Sequence, residues 1–296
     1  MFNIVALGKT AQEISVEFVK LADYEVLAIS ESMDSSSDNI CCHHIKSQSN
    51  PEDYERPLTA KLKKLLSNVS DEFLFIVDGS EYISSASLVI LENLHKKKKS
   101  INILYIKPEL EFLPYKNKVS EKVIRNILQE YTRSGLFASM CLIDFTQVES
   151  LIESTTILSR NSDVFSRVAY CYHMIEGYKN SEPVSSTIHS LVETSRIKTI
   201  GYSTLTRSPR KMFFDLKLPR EIVYYFAVNS KKLSVDQGLF KKITDSIDRE
   251  SEPLSRHMFG IYGTDFEEDF MFYEYYTPHV QNEELTKILV DKKQEK

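Results

Sequence analysis

Two short turns in this sequence carry residues suited to holding a phosphate. The first is Gly8-Lys9-Thr10-Ala11, which follows the apolar run Asn3–Leu7 and opens a helical pattern. A glycine at the end of a strand, followed by the free N–H groups of a helix start, makes an anion site. Lys9 adds a cation and Thr10 a hydroxyl. One glycine falls short of Gly-x-Gly-x-x-Gly, and the Walker pattern is absent, so an ordinary strand-to-helix turn competes with a nucleotide loop. The second turn is Asp78-Gly79-Ser80-Glu81-Tyr82-Ile83-Ser84-Ser85. The turn Asp78–Ser84 is where a ligand would be held, because ligands of open α/β sheets collect at the carboxyl ends of strands. A third cluster, Cys41-Cys42-His43-His44, contains metal-ligating types. Zinc sites space their cysteines two to four residues apart so that two sulfurs reach one ion. Adjacent pairs fit that poorly, and a short strand or loop fits better, so no metal is expected. His173 lies in a helical pattern apolar nearly all round, where a satisfied core histidine is a better reading than a base.

The elements that would position these turns can be read from apolar periodicity. Phe73–Val77 and Ile101–Ile106 are continuous apolar runs, as in strands buried on both faces. Between them, Ser84 and Ser85 offer an N-cap oxygen to a helix through Ala86, Val89, Ile90 and Leu94, closed by Lys96–Lys99 at the negative end of its dipole. That order predicts a βαβ unit with a right-handed crossover. Asn3–Leu7, a helix with Ile14, Phe18, Val19 and Leu21, and Tyr24–Ile29 make a second such unit. Ser30–Pro57 is polar and predicts a loop, and Leu58–Leu66 has helical spacing. A helix over Ser120–Ser134 shows an apolar stripe of Val123, Ile127, Leu128 and Tyr131, with Gly135 placed as its C′ residue. Met140–Asp144 predicts a fifth strand. Asp163 caps a helix over Val164–Glu176, ended by Gly177, that should be buried between two halves. Beyond it, strands are expected at Arg196–Ser203, Val223–Val228, His257–Tyr262 and Phe270–Tyr276. One helix, Ser234–Arg249, should turn Leu239, Phe240, Ile243 and Ile247 inward, and Glu283–Lys296 reads as a charged tail.

The totals bound the function. A chain of 296 residues with 42% hydrophobic and 27% charged residues can bury a sizeable core. A net charge of −5 argues against general nucleic-acid binding. No apolar run is long enough to span a membrane, and the opening Met-Phe-Asn-Ile-Val-Ala-Leu-Gly reads as a strand, not a signal peptide. Four cysteines in a chain this long do not form a disulfide framework, so a reducing, cytoplasmic setting is expected.

In element order the chain resembles the tubulin/FtsZ superfamily. Three stretches carry the likeness: Leu7-Gly8-Lys9-Thr10 at the first phosphate loop, Asp78 to Ala86 at the glycine-rich signature loop, and Gly177 to Ser185 after the core helix. The last looks like the bacterial pattern Gly-x-x-Asn-x-Asp-x-x-Asp. The run from Tyr225 to Asn229 and on through Phe259-Gly260 looks like that group's C-terminal domain. The resemblance implies an α/β fold: a Rossmann-like, mostly parallel sheet domain, a central buried helix, and a smaller α+β C-terminal domain. Residues 1–160 would be the nucleotide-domain homologue, 161–184 the core helix and its loop, 185–285 the C-terminal domain, and 286–296 a charged tail. It also implies GTP as cofactor, held by Gly8, Lys9, Thr10, Gly79, Ser80, Ser84 and Ser85. Asn180 and Glu182 would serve a neighbour's nucleotide as catalytic residues. Head-to-tail self-association would follow, an open contact that yields filaments.

The departures from the family's pattern decide what to expect. Glycines let backbone N–H groups approach phosphates, and the whole chain has 8. Glu81, Tyr82 and Ile83 occupy the signature loop, where a carboxylate repels phosphate and bulk fills its space. Ser185 stands where the family has a second acid, and a hydroxyl cannot supply that charge. The expected function is therefore a tubulin/FtsZ-like structural protein that works by self-assembly or with a protein partner, with nucleotide binding weak or lost. A GTP-hydrolysing filament protein is the alternative. An unrelated Rossmann-like enzyme is a third reading, against which no Ser/His/Asp or Cys/His arrangement stands out.

Overall fold

A computed structural model describes residues 1–32, 38–205, 210–248 and 254–282. The described strands join in one eleven-stranded sheet. β1 (Phe2–Leu7), β2 (Val26–Ser30), β3 (Ile40–His44), β4 (Val69–Asp78), β5 (Ser100–Lys107) and β6 (Ser139–Asp144) run parallel in the order β3-β2-β1-β4-β5-β6. The five strands expected from apolar runs are all there, and all parallel. β3 lies within Ser30–Pro57, read as polar loop, at the Cys41–His44 cluster for which a short strand or loop is the reading, and it is the strand. Its Cys41, Cys42, His43 and His44 pair with β2 at the sheet edge, where alternate side chains take opposite faces. A 3-10 turn at Pro51–Tyr54 follows.

The sheet continues past β6 as β8 (Ile197–Thr204), β11 (Phe270–Thr277), β9 (Glu221–Asn229), β10 (Arg256–Thr264) and the two-residue β7 (Ser185–Ser186). Here β11 is antiparallel to both β8 and β9, while β9 and β10 are parallel. The parallel and mixed portions meet at β6 and β8 over only Met140↔Ile197 and Cys141↔Lys198. Beside this seam a buried ion cluster forms. Glu274 accepts Lys198 Nζ at 2.7 Å and Lys179 Nζ at 2.8 Å on one oxygen, and the Tyr225 hydroxyl at 2.8 Å on the other. Burial works to raise the Glu274 pKa, but the two ammonium groups win and hold it well below the usual carboxylate range.

Helices cover both faces. α2 (Ala60–Ser67), α3 (Ser87–Lys96) and α4 (Tyr115–Arg133) pack on one, with α1 (Lys9–Leu21), the short α5 (Phe145–Glu149) and α6 (Arg160–Lys179) on the other. α6 is the expected core helix and is longer than its apolar pattern. It starts after Ser159, and Asp163 sits inside its first turn, where the hydroxyls of Thr155 and Ser159 bond the Asp163 carboxylate. It runs through Gly177 instead of stopping there, with Asn180 as its C-cap. α6 packs on α1 and on β8 and β11, so it touches both portions of the sheet. His173 is a partnered residue, 2.8 Å from the Tyr24 hydroxyl through Nδ1.

Two helices depart from their apolar patterns. α4 begins after Pro114, earlier than its stripe, and is rotated relative to it. Val123 is 49% exposed, Tyr131 42% exposed and Ile127 half-buried. The inner face holds Ile124 and Leu128 with Glu121, Arg125, Gln129 and Thr132, all buried. These polar groups are satisfied there: Arg125 Nε donates to Glu121 Oε1 at 2.7 Å, the Tyr105 hydroxyl donates to the same oxygen at 3.0 Å, and Arg125 Nη1 donates to the Gln281 carbonyl at 3.0 Å. Gly135, at φ 87°, ends the helix with Leu136 N bonded to Tyr131 O at 3.0 Å, as its position predicted. The single helix expected over Ser234–Arg249 is two, α7 (Ser230–Val235), capped by Asn229 and not by Ser234, and α8 (Leu239–Asp248). Asp236 breaks the run by accepting Gly238 N at 2.9 Å. Leu239, Ile243 and Ile247 face inward, but Phe240 is exposed and lies edge-on to Phe259. Arg249 and the charged tail from Glu283 onward lie outside the described residues.

Candidate functional site

The candidate site lies where β1 and β4 end side by side, with Leu7 paired to Val77. Gly8 turns the chain into α1 with φ 95° and ψ 174°, a region glycine reaches without strain. The first N–H groups of α1 have no partner within the helix, and here one side chain takes two of them. Glu81 Oε2 accepts Lys9 N at 2.8 Å, and Glu81 Oε1 accepts Thr10 N at 2.9 Å. A Cβ on Gly8 would stand 2.2 Å from Glu81 Oε2. Gly8 thus permits both the turn and the approach of this carboxylate. A carboxylate across two N–H groups at a helix N-terminus does what a phosphate does there, and it gains from the same dipole.

The rest of the second turn is organised to aim Glu81. Asp78, at the end of β4, is buried and accepts both Ser80 N at 2.7 Å and Ser80 Oγ at 2.6 Å on Oδ1. The Thr10 hydroxyl bonds the same carboxylate. Burial, opposed by the bonds from Ser80 and assisted by the Glu81 charge, pushes the Asp78 pKa up to about 6. The Ser84 hydroxyl donates to the Asp78 carbonyl and is fully buried. It therefore caps no helix: Tyr82–Ala86 is a 3-10 turn, and α3 starts at Ser87, after Ala86. Ser85 is buried in that turn. Asn117 Nδ2 of α4 donates to the Ser80 carbonyl at 2.7 Å and ties the turn down from above. Gly79 serves packing, since a Cβ there would meet the Tyr105 hydroxyl at 1.9 Å.

The structure thus brings Gly8, Lys9, Thr10, Gly79, Ser80 and Ser84 together at the strand ends, with Ser85 behind them. It puts their polar groups to use among themselves. The Lys9 ammonium does not cross the site. It is mostly exposed and 3.8 Å from Glu13 Oε1, one turn along α1. Glu31, just after β2, adds another acid nearby: burial raises its pKa, and the charge of Glu81 adds to the rise. The Tyr54 hydroxyl donates to it. The residue that sequence reasoning undervalued is Glu81. Its type signalled repulsion of phosphate, but nothing in the sequence fixed its seat on Lys9 and Thr10.

Asn180 and Glu182 lie at the opposite pole. α6 starts near the carboxyl ends of the strands, where Arg160 pairs with Glu149 and with Glu109. It descends to the other ends, where His173 meets Tyr24 just before β2. Asn180 Nδ2 donates to the Glu176 carbonyl at 2.9 Å, Glu182 is exposed, and Ser185 enters β7 against Ile261. These residues cannot meet the Glu81 turn of their own chain.

No family profile matches the sequence, and no curated protein matches it. Solved structures do match. CetZ2 of Haloferax volcanii, a GTPγS-bound protofilament, aligns with a TM-score of 0.71 at 9% identity, over 98% of this chain and 98% of its own. TubZ of Bacillus thuringiensis serovar israelensis, in a GTPγS-form protofilament, aligns at 0.68 and 14%, over 99% of this chain and 92% of its own. An empty FtsZ dimer of M. jannaschii aligns at 0.56 and 10%, over 93% and 87%. Over nearly its whole described length, this chain has the fold of the tubulin/FtsZ superfamily.

Proposed function

We propose that this chain is a tubulin/FtsZ-type structural subunit that works by self-assembly or with a protein partner, and that it has replaced nucleotide at its strand-end site with its own Glu81. The observation that carries the reading is the pair of bonds from Lys9 N and Thr10 N to the Glu81 carboxylate. GTP would have to displace that carboxylate and then sit beside Glu31 and Asp78. Related folds solved as protofilaments support assembly as the mode of action. The separation of Glu81 and Glu182 on opposite poles suits a head-to-tail contact. The Glu182 end supplies Asn180 but neither of the two aspartates of the bacterial pattern, so the contact serves cohesion more than hydrolysis. Among the described residues no helix is long and apolar enough to cross a membrane. The reading places the assembly in the cytoplasm.

The test is assembly and binding on the purified full chain. Light scattering and sedimentation should show concentration-dependent assembly that is the same with and without GTP. Labelled GTP should show no saturable binding at micromolar concentrations. Saturable binding, with hydrolysis that rises with protein concentration and disappears in Glu182→Ala, would overturn this reading in favour of a working GTPase.

A further inference from the structure

α2 and α3 end side by side among lysines. Lys61, Lys63 and Lys64 lie on α2, and the run Lys96–Lys99 closes α3. The two sets meet: Lys97 Nζ donates to the Lys63 carbonyl at 3.3 Å, and Lys63 and Lys96 line one groove. All but the half-buried Lys99 are exposed. Among the described residues two acids pair with them, Glu92 with Lys96 at 2.6 Å and Asp71 with Lys99 at 2.7 Å. Glu55 shares the groove and Glu72 follows Asp71, so cations stay in excess. This excess stands in a chain whose 42 acids outnumber its 37 Lys and Arg residues. Burial and the charge of Lys99 lower the Lys97 pKa.

One of these lysines is held against strain. Lys99 N bonds Leu94 O at 3.4 Å and Lys98 N bonds His95 O at 2.8 Å, the Schellman arrangement at a helix end. Lys98 takes its left-handed position, with φ 58°. Glycine adopts that conformation freely, and Gly135 fills the matching position after α4. A lysine there keeps the cationic run unbroken.

The chemistry selects a partner. Residues 61–64 and 96–99 hold no arginine and no aromatic residue, the types that anchor protein interfaces, where lysine is depleted. Nucleic-acid phosphates are gripped by backbone N–H groups and helix N-termini as well as by cations. Here both helices present C-terminal carbonyls, which repel an anion seated against them. Ammonium groups on long stems, standing out beyond those carbonyls, suit a diffuse negative surface. Anionic lipid headgroups attract clusters of this kind. Acids on the far side of the molecule carry little weight, because the field falls off within about 8 Å at physiological ionic strength.

We propose that the face formed by α2 and the end of α3 docks on an anionic lipid surface through Lys61, Lys63, Lys64 and the run Lys96–Lys99. The contact holds the subunit against a membrane without crossing it, and it depends on neither nucleotide nor assembly.

Flotation of the full chain with vesicles tests this, since vesicle-bound protein floats and assembled protein alone stays at the bottom. Vesicles of phosphatidylcholine with phosphatidylserine should float at least tenfold more protein than phosphatidylcholine alone, and added salt should release it. Each lysine near such a surface adds about fivefold in affinity, so Lys63→Glu/Lys97→Glu/Lys98→Glu should lose binding at least tenfold. All three are exposed, and unchanged circular dichroism will confirm the fold. Lys116→Glu/Lys231→Glu/Lys241→Glu makes the same change in net charge at exposed positions elsewhere and should bind as the wild type does. No enrichment on the anionic vesicles overturns the proposal, as does an equal loss in both triple variants. Binding to duplex DNA or to polyglutamate, with none to vesicles, also overturns it.

Discussion

Replacing Glu81 with alanine should turn a self-filled site into an open one. The carboxylate bonds Lys9 N and Thr10 N at 2.8 and 2.9 Å. Hydrogen bonds to a charged acceptor contribute about 1.5–3 kcal/mol each. The N–H groups lie near solvent and would regain water, so the net stability cost of Glu81→Ala should be smaller, roughly 1–2 kcal/mol. The gain in binding is larger. A carboxylate about 4 Å from a phosphate charge costs about 4 kcal/mol at an effective dielectric near 20, which is about a thousandfold in affinity. Glu31, Asp78 and Tyr82 remain in the variant and reduce that gain. Titration calorimetry with GTP and with inorganic phosphate should therefore show Glu81→Ala binding at least tenfold more tightly than wild type. Glu81→Gln should fall between them, because the amide keeps the shape, loses the charge and can accept through only one oxygen. A wild type that binds GTP in the micromolar range would refute the reasoning, and so would a folded Glu81→Ala variant with no gain.

Asp78→Asn should flatten the pH dependence of stability. Its folded pKa, about 6 against an ordinary 3.8, is raised, so wild-type stability from this group is fully present below pH 3.8 and is lost as pH rises through 6. Each pKa unit is about 1.4 kcal/mol, so the swing is on the order of 3 kcal/mol, readable by urea unfolding between pH 4 and 8. Ile175→Ala in α6 should cost about 2–5 kcal/mol in the same assay, as a truncation of a residue that is 1% exposed. A loss under 1 kcal/mol would mean that α6 is not the shared core. Glu274→Ala should cost about 3–5 kcal/mol, because it leaves Lys198 buried without its acceptor. Pairing it with Lys198→Met should recover much of the loss, and a double variant no better than the single would count against the cluster.

The central parallel strands were legible because each is an apolar run bounded by turn residues, and a strand buried on both faces needs nothing else. β3 was legible only as a short strand or loop, since Cys41-Cys42-His43-His44 sits at the sheet edge and carries polar residues. The apolar stripe read for α4 is offset from its buried face, which keeps Leu128 of the stripe and leaves Val123 and Tyr131 exposed. Burial there went to Glu121, Arg125 and Gln129, whose partners Tyr105 and Gln281 are 16 to 156 residues away, and no local pattern announces such pairs. The candidate site was half legible. Gly8, Asp78 and Glu81 could be singled out, but the direction of one side chain decided what they do together.

The two-residue seam between β6 and β8 has a mechanical consequence. Tension applied across the molecule from one pole to the other loads those few backbone bonds and the Thr199 hydroxyl, which donates to Leu142 O at 2.9 Å, together with the bonds from Gln281 to α4 and the packing of α6 on both portions. Just behind them lie Lys198, Lys179 and Glu274. While the seam holds, these charges solvate one another. Once it parts far enough to admit water, Lys198 and Glu274, the two buried members, recover hydration together. The crack is then stabilised as it opens, and the two portions of the sheet should separate in one abrupt step instead of stretching gradually.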